Sequence, residues 1–212
     1  MIKAVCFDLD GTLVASEQLY LDRNVQAAAT LGYHLTQQDF LPLVGISQAA
    51  FDVALDQLIA PDQQGEFVAL TQALVTTRVD SGPSLAQPGA DHLLQMLIAH
   101  QVKLGLVTTS TAEATARMLQ NTGWTNVFSV MITAENGRLK PAPDLYQQAL
   151  NQLQLPTDQV LAVEDSGVGI QAALAAGLDC VQVLDLAPES AQALLVVPNL
   201  LALEKMFLAA FA

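Results

Sequence analysis

The chain has 212 residues, enough to bury a sizeable core as one large domain or as one domain with a small accessory one. Apolar residues make up 52% and charged residues 14%, which excludes a disordered chain, and no apolar stretch approaches the ~20 residues of a membrane span. Eight Lys and Arg against 21 Asp and Glu leave a net charge of −13, a surface that repels nucleic acid and anionic lipid, so neither partner is expected.

The apolar start Met1–Phe7 is too soon interrupted by Asp8 to be a signal peptide. Cys6 and Cys180 sit inside apolar runs and read as free thiols in a reducing compartment, so a cytoplasmic protein is expected. Residues 2–8 form a run of β-formers that ends in Asp8-Leu9-Asp10-Gly11-Thr12. Residues 15–85 are mostly amphipathic helix, over 19–31, 48–59 and 66–79, and close in the turn cluster Ser81-Gly82-Pro83-Ser84.

Beyond residue 86 helix and strand alternate. A helix runs from Pro88 to His100, and an apolar strand follows over 103–109. Thr111–Asn121 is helical and closed by Gly123; Val127–Thr133 is a strand; Pro143–Leu153 is a helix with a proline fit for its first turn. A strand at Val160–Val163, a helix from Ser166-Gly167-Val168-Gly169 to Gly177 and a strand over 179–184 complete the pattern. Trp124 reads as core packing, and Met96, Met118 and Met131 as helix or strand interiors. Continuous apolar strands are buried on both faces, which points to a parallel sheet. The expected fold is therefore α/β: an open, parallel, Rossmann-like sheet domain from residues 1–14 and 86–212, with a helical domain, 15–85, inserted after the first strand.

In such a sheet the carboxyl ends of the strands converge on one crevice. Here the first strand delivers Asp8 and Asp10, the second Thr108, Thr109 and Ser110, and the fourth Glu164 and Asp165, while Lys140 follows the third. Taken singly, each has a plain structural use as a turn, a helix cap or a surface lysine. Their joint position at one rim does not. Paired carboxylates can bind Mg²⁺, a hard ion that takes oxygen ligands and offsets repulsion between an anionic nucleophile and a phosphate. Thr108, nearby N–H groups and Lys140 would hold phosphoryl oxygens, Asp10 would move a proton, and Gly11 lets the chain turn sharply away. Asp8 is the expected nucleophile of a Mg²⁺-dependent phosphoryl transfer.

The motifs Phe7-Asp8-Leu9-Asp10-Gly11-Thr12-Leu13, Leu106-Val107-Thr108-Thr109-Ser110, Lys140-Pro141-Ala142-Pro143-Asp144 and Val163-Glu164-Asp165-Ser166-Gly167-Val168-Gly169-Ile170 occur in that order. With them the chain resembles, essentially from end to end, the haloacid dehalogenase-like superfamily, in its phosphatase and β-phosphoglucomutase-like branch with a helical cap after the first strand. The resemblance implies that Asp8 is the nucleophile and Asp10 the acid/base, with the Asp10 main-chain carbonyl on Mg²⁺. It implies that Asp165 completes the metal site with Glu164 beside it or one water away, and that Thr108 and Lys140, with Thr109 next to them, hold the transferring phosphate. The dehalogenases of the superfamily lack the second aspartate, and the phosphonate-cleaving members use a cap lysine, of which residues 15–85 have none.

Within the branch, a mutase would require a histidine early in the cap and a basic residue in the Gly-x-Ser-Arg turn. This chain has Tyr20 at the first place and Gly45-Ile46-Ser47-Gln48 at the second, and Ala15 replaces the acidic or polar residue common after the first strand. Arg23 and Arg78 are the cap's only permanent cations, and both read as solvated surface groups. The expected activity is thus hydrolysis of small phosphorylated metabolites, sugar or polyol monophosphates, by a monomeric enzyme. Gly45, Ile46, Ser47 and Gln48 are the candidates for touching the leaving group. A β-phosphoglucomutase-like sugar phosphomutase and a non-catalytic metabolite-binding relative are the alternatives.

Overall fold

A computed structural model describes residues 1–211. Six strands form one parallel sheet: β1 (Ala4–Phe7), β2 (Lys103–Val107), β3 (Val130–Ile132), β4 (Val160–Glu164), β5 (Asp179–Val183) and β6 (Leu195–Val197), in the order β3-β2-β1-β4-β5-β6. This is a doubly wound order, and its direction reverses on either side of β1. Alternation along β1 assigns its side chains to two cores. Val5 and Phe7 pack in one with Leu93, Leu97, Leu203 and Phe207; Ala4 and Cys6 pack in the other with Leu145, Tyr146, Ala149 and Ile170.

The helices are α1 (Ser16–Thr30), α2 (Gln37–Phe40), α3 (Gln48–Leu55), α4 (Gln64–Ser81), α5 (Ala90–Ala99), α6 (Ala112–Thr122), α7 (Asp144–Leu153), α8 (Gly167–Ala175) and α9 (Leu200–Phe211). Local sequence sets several boundaries. Thr111 and Ser166 cap α6 and α8 by accepting the N–H groups of Ala114 and Gly169 with their hydroxyls. Gly123 ends α6 at φ +80°. Trp124 is buried and donates its indole N–H to Asp91 at 2.6 Å, tying α6 to α5. Met118 is also buried, whereas Met131 is exposed on its strand.

The insertion builds a core of its own. Leu21, Phe40, Leu55, Ile59 and Phe67 form a cluster separate from the two sheet cores, with the Phe40 and Phe67 rings stacked at 5.8 Å. Its helices differ from the sequence expectation mainly at their ends: the first starts at Ser16, and the second stops at Leu55, where a turn takes over. The third strand is shorter than expected because Val127 donates its N–H back to the Trp124 carbonyl. Sequence reading gave no element for β6 and α9. β6 is a three-residue edge strand, and α9, Leu-Leu-Ala-Leu-Glu-Lys-Met-Phe-Leu-Ala-Ala-Phe, has too few polar residues to show a periodic face. A start signal was available in Asn199, whose side-chain oxygen accepts the Ala202 N–H. Among the described residues no helix is long and apolar enough to cross a membrane.

Because the cap has a separate core, its stability should be separable from that of the sheet. Phe67→Ala removes a ring that is 1% exposed and should cost about 3–5 kcal/mol locally. Hydrogen exchange checks this: amides of α1 and α4 should lose protection while those of β1 and β4 keep theirs.

Candidate active site

β1 runs directly into Asp8, which is 6% exposed at the carboxyl end of the central strand. β2 ends beside it at Thr108, and β4 ends at Glu164 and Asp165. Lys140 reaches in from the segment before α7 and is 5% exposed. Its ammonium donates to Asp8 Oδ1 at 2.5 Å and to the Val107 carbonyl at 2.8 Å, and it pairs with Glu164 Oε1 at 2.7 Å. Below it lies the Tyr146 ring, 5.4 Å from the ammonium to the centroid, whose hydroxyl donates to Glu164 Oε1 at 2.6 Å. Three adjacent strands and α7 thus converge on one charge.

Gly11 carries the chain away at φ +80°, and a side chain there would run into the Asp165 carboxylate. Gly169, in the first turn of α8, is packed just as tightly by the Glu164 carboxylate. Both are positions where only a hydrogen fits. Asp10 stands further up the rim. Ser16 donates to its Oδ1 at 2.6 Å and Ser110 to its Oδ2 at 2.7 Å, so one hydroxyl from the cap and one from the sheet domain hold the same carboxylate.

The sequence candidates separate into two groups. Asp8, Asp10, Thr109, Lys140 and Asp165 line one cavity of about 660 Å³, and Gly45, Ile46 and Gln48 face them from the cap. Thr108 and Glu164 do not line it. Thr108 is buried and its hydroxyl accepts the Ser110 N–H, while Glu164 is fully buried under Lys140. Ser47 turns away to cap α3, its hydroxyl accepting the Ala50 N–H. Tyr20 lines the cavity; Arg23 and Arg78 do not, and donate instead to the Gln26 side chain and the Pro83 carbonyl. Lys140 is consequently the one Lys or Arg among the lining residues.

Three groups at the site had not been singled out: Ser16, Glu17 and Tyr146. Ser16 and Glu17 open the first cap helix after the turn that follows β1, and from there Ser16 reaches Asp10 while Glu17 lines the cavity. Tyr146 sits on the apolar face of α7 with Leu145, Ala149 and Leu153, and its sequence signal is that of a core residue.

Crowding dominates the electrostatics. Burial, and then repulsion from neighbouring carboxylates, holds Asp8 and Asp165 well above the usual carboxylate range, with Lys140 pulling the other way. Burial alone would lower the Lys140 pKa, but Asp8 and Glu164 outweigh it, so the ammonium is held above its ordinary value. Burial, helped by Asp10 and Asp185, raises Glu17 to about 7. Cys6 is pushed up to about 12 by burial and is an unreactive thiol.

Ligand atoms of Asp8, Glu164 and Asp165 lie within 4.8 Å of one another. Glu164 Oε2 is buried with no hydrogen-bond partner. An all-oxygen donor set, with three carboxylates against one ammonium, fits a hard divalent cation.

The family model described as haloacid dehalogenase-like hydrolase matches residues 5–183. An uncharacterized protein in the fgs 3′ region of Lacticaseibacillus casei is 38% identical over 184 residues, covering 86% of this chain and 85% of the relative. A phosphorylated carbohydrates phosphatase of Thermotoga maritima is 26% identical over 182 residues, covering 84% and 83% of the two chains. The crystal structure of a β-phosphoglucomutase from Clostridium difficile superposes with a TM-score of 0.81 at 22% identity, over 99% of this chain and 96% of that one, a likeness of fold. With the family model spanning the first strand, the cap and the strands that carry the carboxylates, this chain belongs to the haloacid dehalogenase-like hydrolase family.

Proposed function

We propose that the protein is a Mg²⁺-dependent phosphatase of small phosphorylated metabolites, sugar or polyol monophosphates, working through a phosphoryl group carried on Asp8. One observation carries this reading: the cavity has carboxylates and Lys140 at its floor and no Lys or Arg elsewhere on its walls. The printed name of the Thermotoga maritima relative supports the substrate class. A mutase must hold a second phosphate in the cap, and the cap's arginines do not line the cavity.

In this mechanism a free oxygen of Asp8 attacks phosphorus and the bond to the leaving oxygen breaks, with Asp10 giving that oxygen a proton. Water then attacks the phosphoryl group, Asp10 takes back a proton, phosphate leaves and Asp8 is regenerated. Lys140 and the Thr108–Ser110 turn would hold the phosphoryl oxygens, where negative charge accumulates. Asp8, Asp165 and the Asp10 main-chain carbonyl would hold Mg²⁺, with Glu164 behind them. When bound, the ion supplies positive charge that offsets repulsion between Asp8 and the phosphate. Glu17 and Gln48 are polar groups toward the leaving group, and the turn from Gly45 closes over it.

A phosphate-release screen over sugar and polyol monophosphates, with and without Mg²⁺, tests the reading. Free phosphate without a bisphosphate primer, lost on chelation, is expected; turnover only with primer, giving a positional isomer, would sink it. Asp8→Asn should fall to background in the same assay. Lys140→Met should cost on the order of 10²–10³ in kcat, the scale of one lost oxyanion partner.

Stability should report the carboxylate crowding independently. A carboxyl whose folded pKa is raised binds more protons folded than unfolded, so its contribution to stability falls as pH rises above the unfolded value of about 4. In metal-free protein, Asp165→Asn should therefore raise the melting temperature at pH 7, with no gain below about pH 4. Mg²⁺ should raise the melting temperature of the parent and not of the variant.

A further inference from the structure

Residues 184–190, the first part of the segment between β5 and β6, have no regular secondary structure, yet they form one of the places where the cap meets the sheet domain. Among the described residues, Leu186 is the one residue outside 15–85 that packs against the cap's own apolar cluster. Ala187 is buried and lies under the cap turn: a Cβ at Gly45 would stand 3.0 Å from the Ala187 Cβ and 3.3 Å from the Ser166 Cβ. Gly45 adopts φ +69° at this point, so both its conformation and its lack of a side chain suit the close approach.

An irregular segment needs side-chain partners to fix its shape, and one residue supplies several. Gln182 is 0% exposed in β5, out of pattern in a strand whose other inner residues are Cys180, Val181 and Val183. It pairs in register with Glu164 at the carboxyl end of the sheet. Its Nε2 donates to the Asp165 carbonyl at 2.7 Å and to the Pro188 carbonyl at 2.9 Å, and its Oε1 accepts the Ser190 N–H at 2.7 Å. Three of its four hydrogen-bonding positions are used. An apolar residue there would leave two carbonyls and an N–H in need of partners, which explains why a buried strand tolerates an amide.

We propose that Gln182 is a positioning residue that couples the seating of the cap to the carboxylate rim. The same amide that fixes the main chain of Asp165 fixes the loop on which Gly45 and the cap cluster rest. The height of the cap turn over the cavity is thereby set from the metal-binding strand end rather than by the hinges alone. The inference relies on the phosphatase reading for its kinetic readout only.

Gln182→Leu and Leu186→Ser attack the coupling from its two ends. Each should raise KM about tenfold for a sugar or polyol monophosphate that the parent hydrolyses, with kcat changed by less than about threefold, the signature of lost binding across ground and transition states. The double variant should be no worse than the stronger single one, because both act through one loop. A fall in kcat at unchanged KM, or fully additive effects, would overturn the proposal. Hydrogen exchange gives a readout that needs no turnover: the amides of Gly45–Gln48 should exchange faster in each variant than in the parent, and equal exchange would overturn it. Leu186→Ser leaves every Gln182 bond in place and tests the loop even where Gln182→Leu does not fold. A parent that releases phosphate from no monophosphate would defeat the phosphatase reading, and the exchange comparison would still decide the coupling.

Discussion

One buried ammonium holds this site together. Taking a charge out of water costs several kcal/mol per ion unless it is paired and hydrogen-bonded. Lys140 meets that condition through Asp8 from β1, Glu164 from β4 and the Val107 carbonyl of β2, over the ring of Tyr146 on α7. These partners are distant in sequence and adjacent only because β1 lies between β2 and β4. The strand order and the ion pairing therefore require each other. A sheet wound differently would leave a buried lysine without carboxylates, or buried carboxylates without a lysine.

The compensation is incomplete. Three buried carboxylates share one ammonium, so Asp8 and Asp165 are pushed upward and Glu164 Oε2 is left without a partner. A site built this way is destabilising by itself, and the stability must come from elsewhere. It comes from the two sheet cores, in which β1 is buried along its whole length and the long apolar side chains of α5, α7 and α9 close the faces. Strained charge at the strand ends and dense apolar packing along the strands are two parts of one design.

Much of this was legible in the sequence because the strands are short and end abruptly in polar residues. Asp8 and Asp165 stand where an apolar run stops, and a parallel sheet brings such ends together whatever the details, while Lys140 stands out as the one lysine in the segment after the third strand. What a linear pattern does not carry is which way a residue at a strand end points. Thr108 and Thr109 are equivalent in sequence, but Thr109 lines the cavity, whereas Thr108 is buried with its hydroxyl between the Ser110 N–H and Asp10 Oδ2. Glu164 and Asp165 divide likewise, the last strand residue pointing down to Lys140 and the next outward to the cavity. Ser47 had two uses, and the helix took it as a cap. Tyr146 and Gln182 were hidden for the opposite reason. Each is a polar-tipped residue in an apolar setting, and only the partners of the tip reveal its role.

A chain of net charge −13 sets an unfavourable general field for the proposed anionic substrate, and the cap lining shows how the two could be reconciled. Attraction for phosphate is confined to the floor, where Lys140 and a cation would act over a few ångströms in a buried setting and are little screened. Higher up, the lining offers Glu17, Asp52 and the neutral amides of Asn24, Gln48, Gln64 and Gln72, with no Lys or Arg. A second phosphate there would meet carboxylates and lose its hydration with nothing to replace it. Uncharged hydroxyls would instead find acceptors and donors, including Glu17, whose pKa burial raises to about 7. On the proposed reading the acidic lining would act as a filter: one phosphate would be drawn to the floor, and the rest of the substrate would be selected for being uncharged.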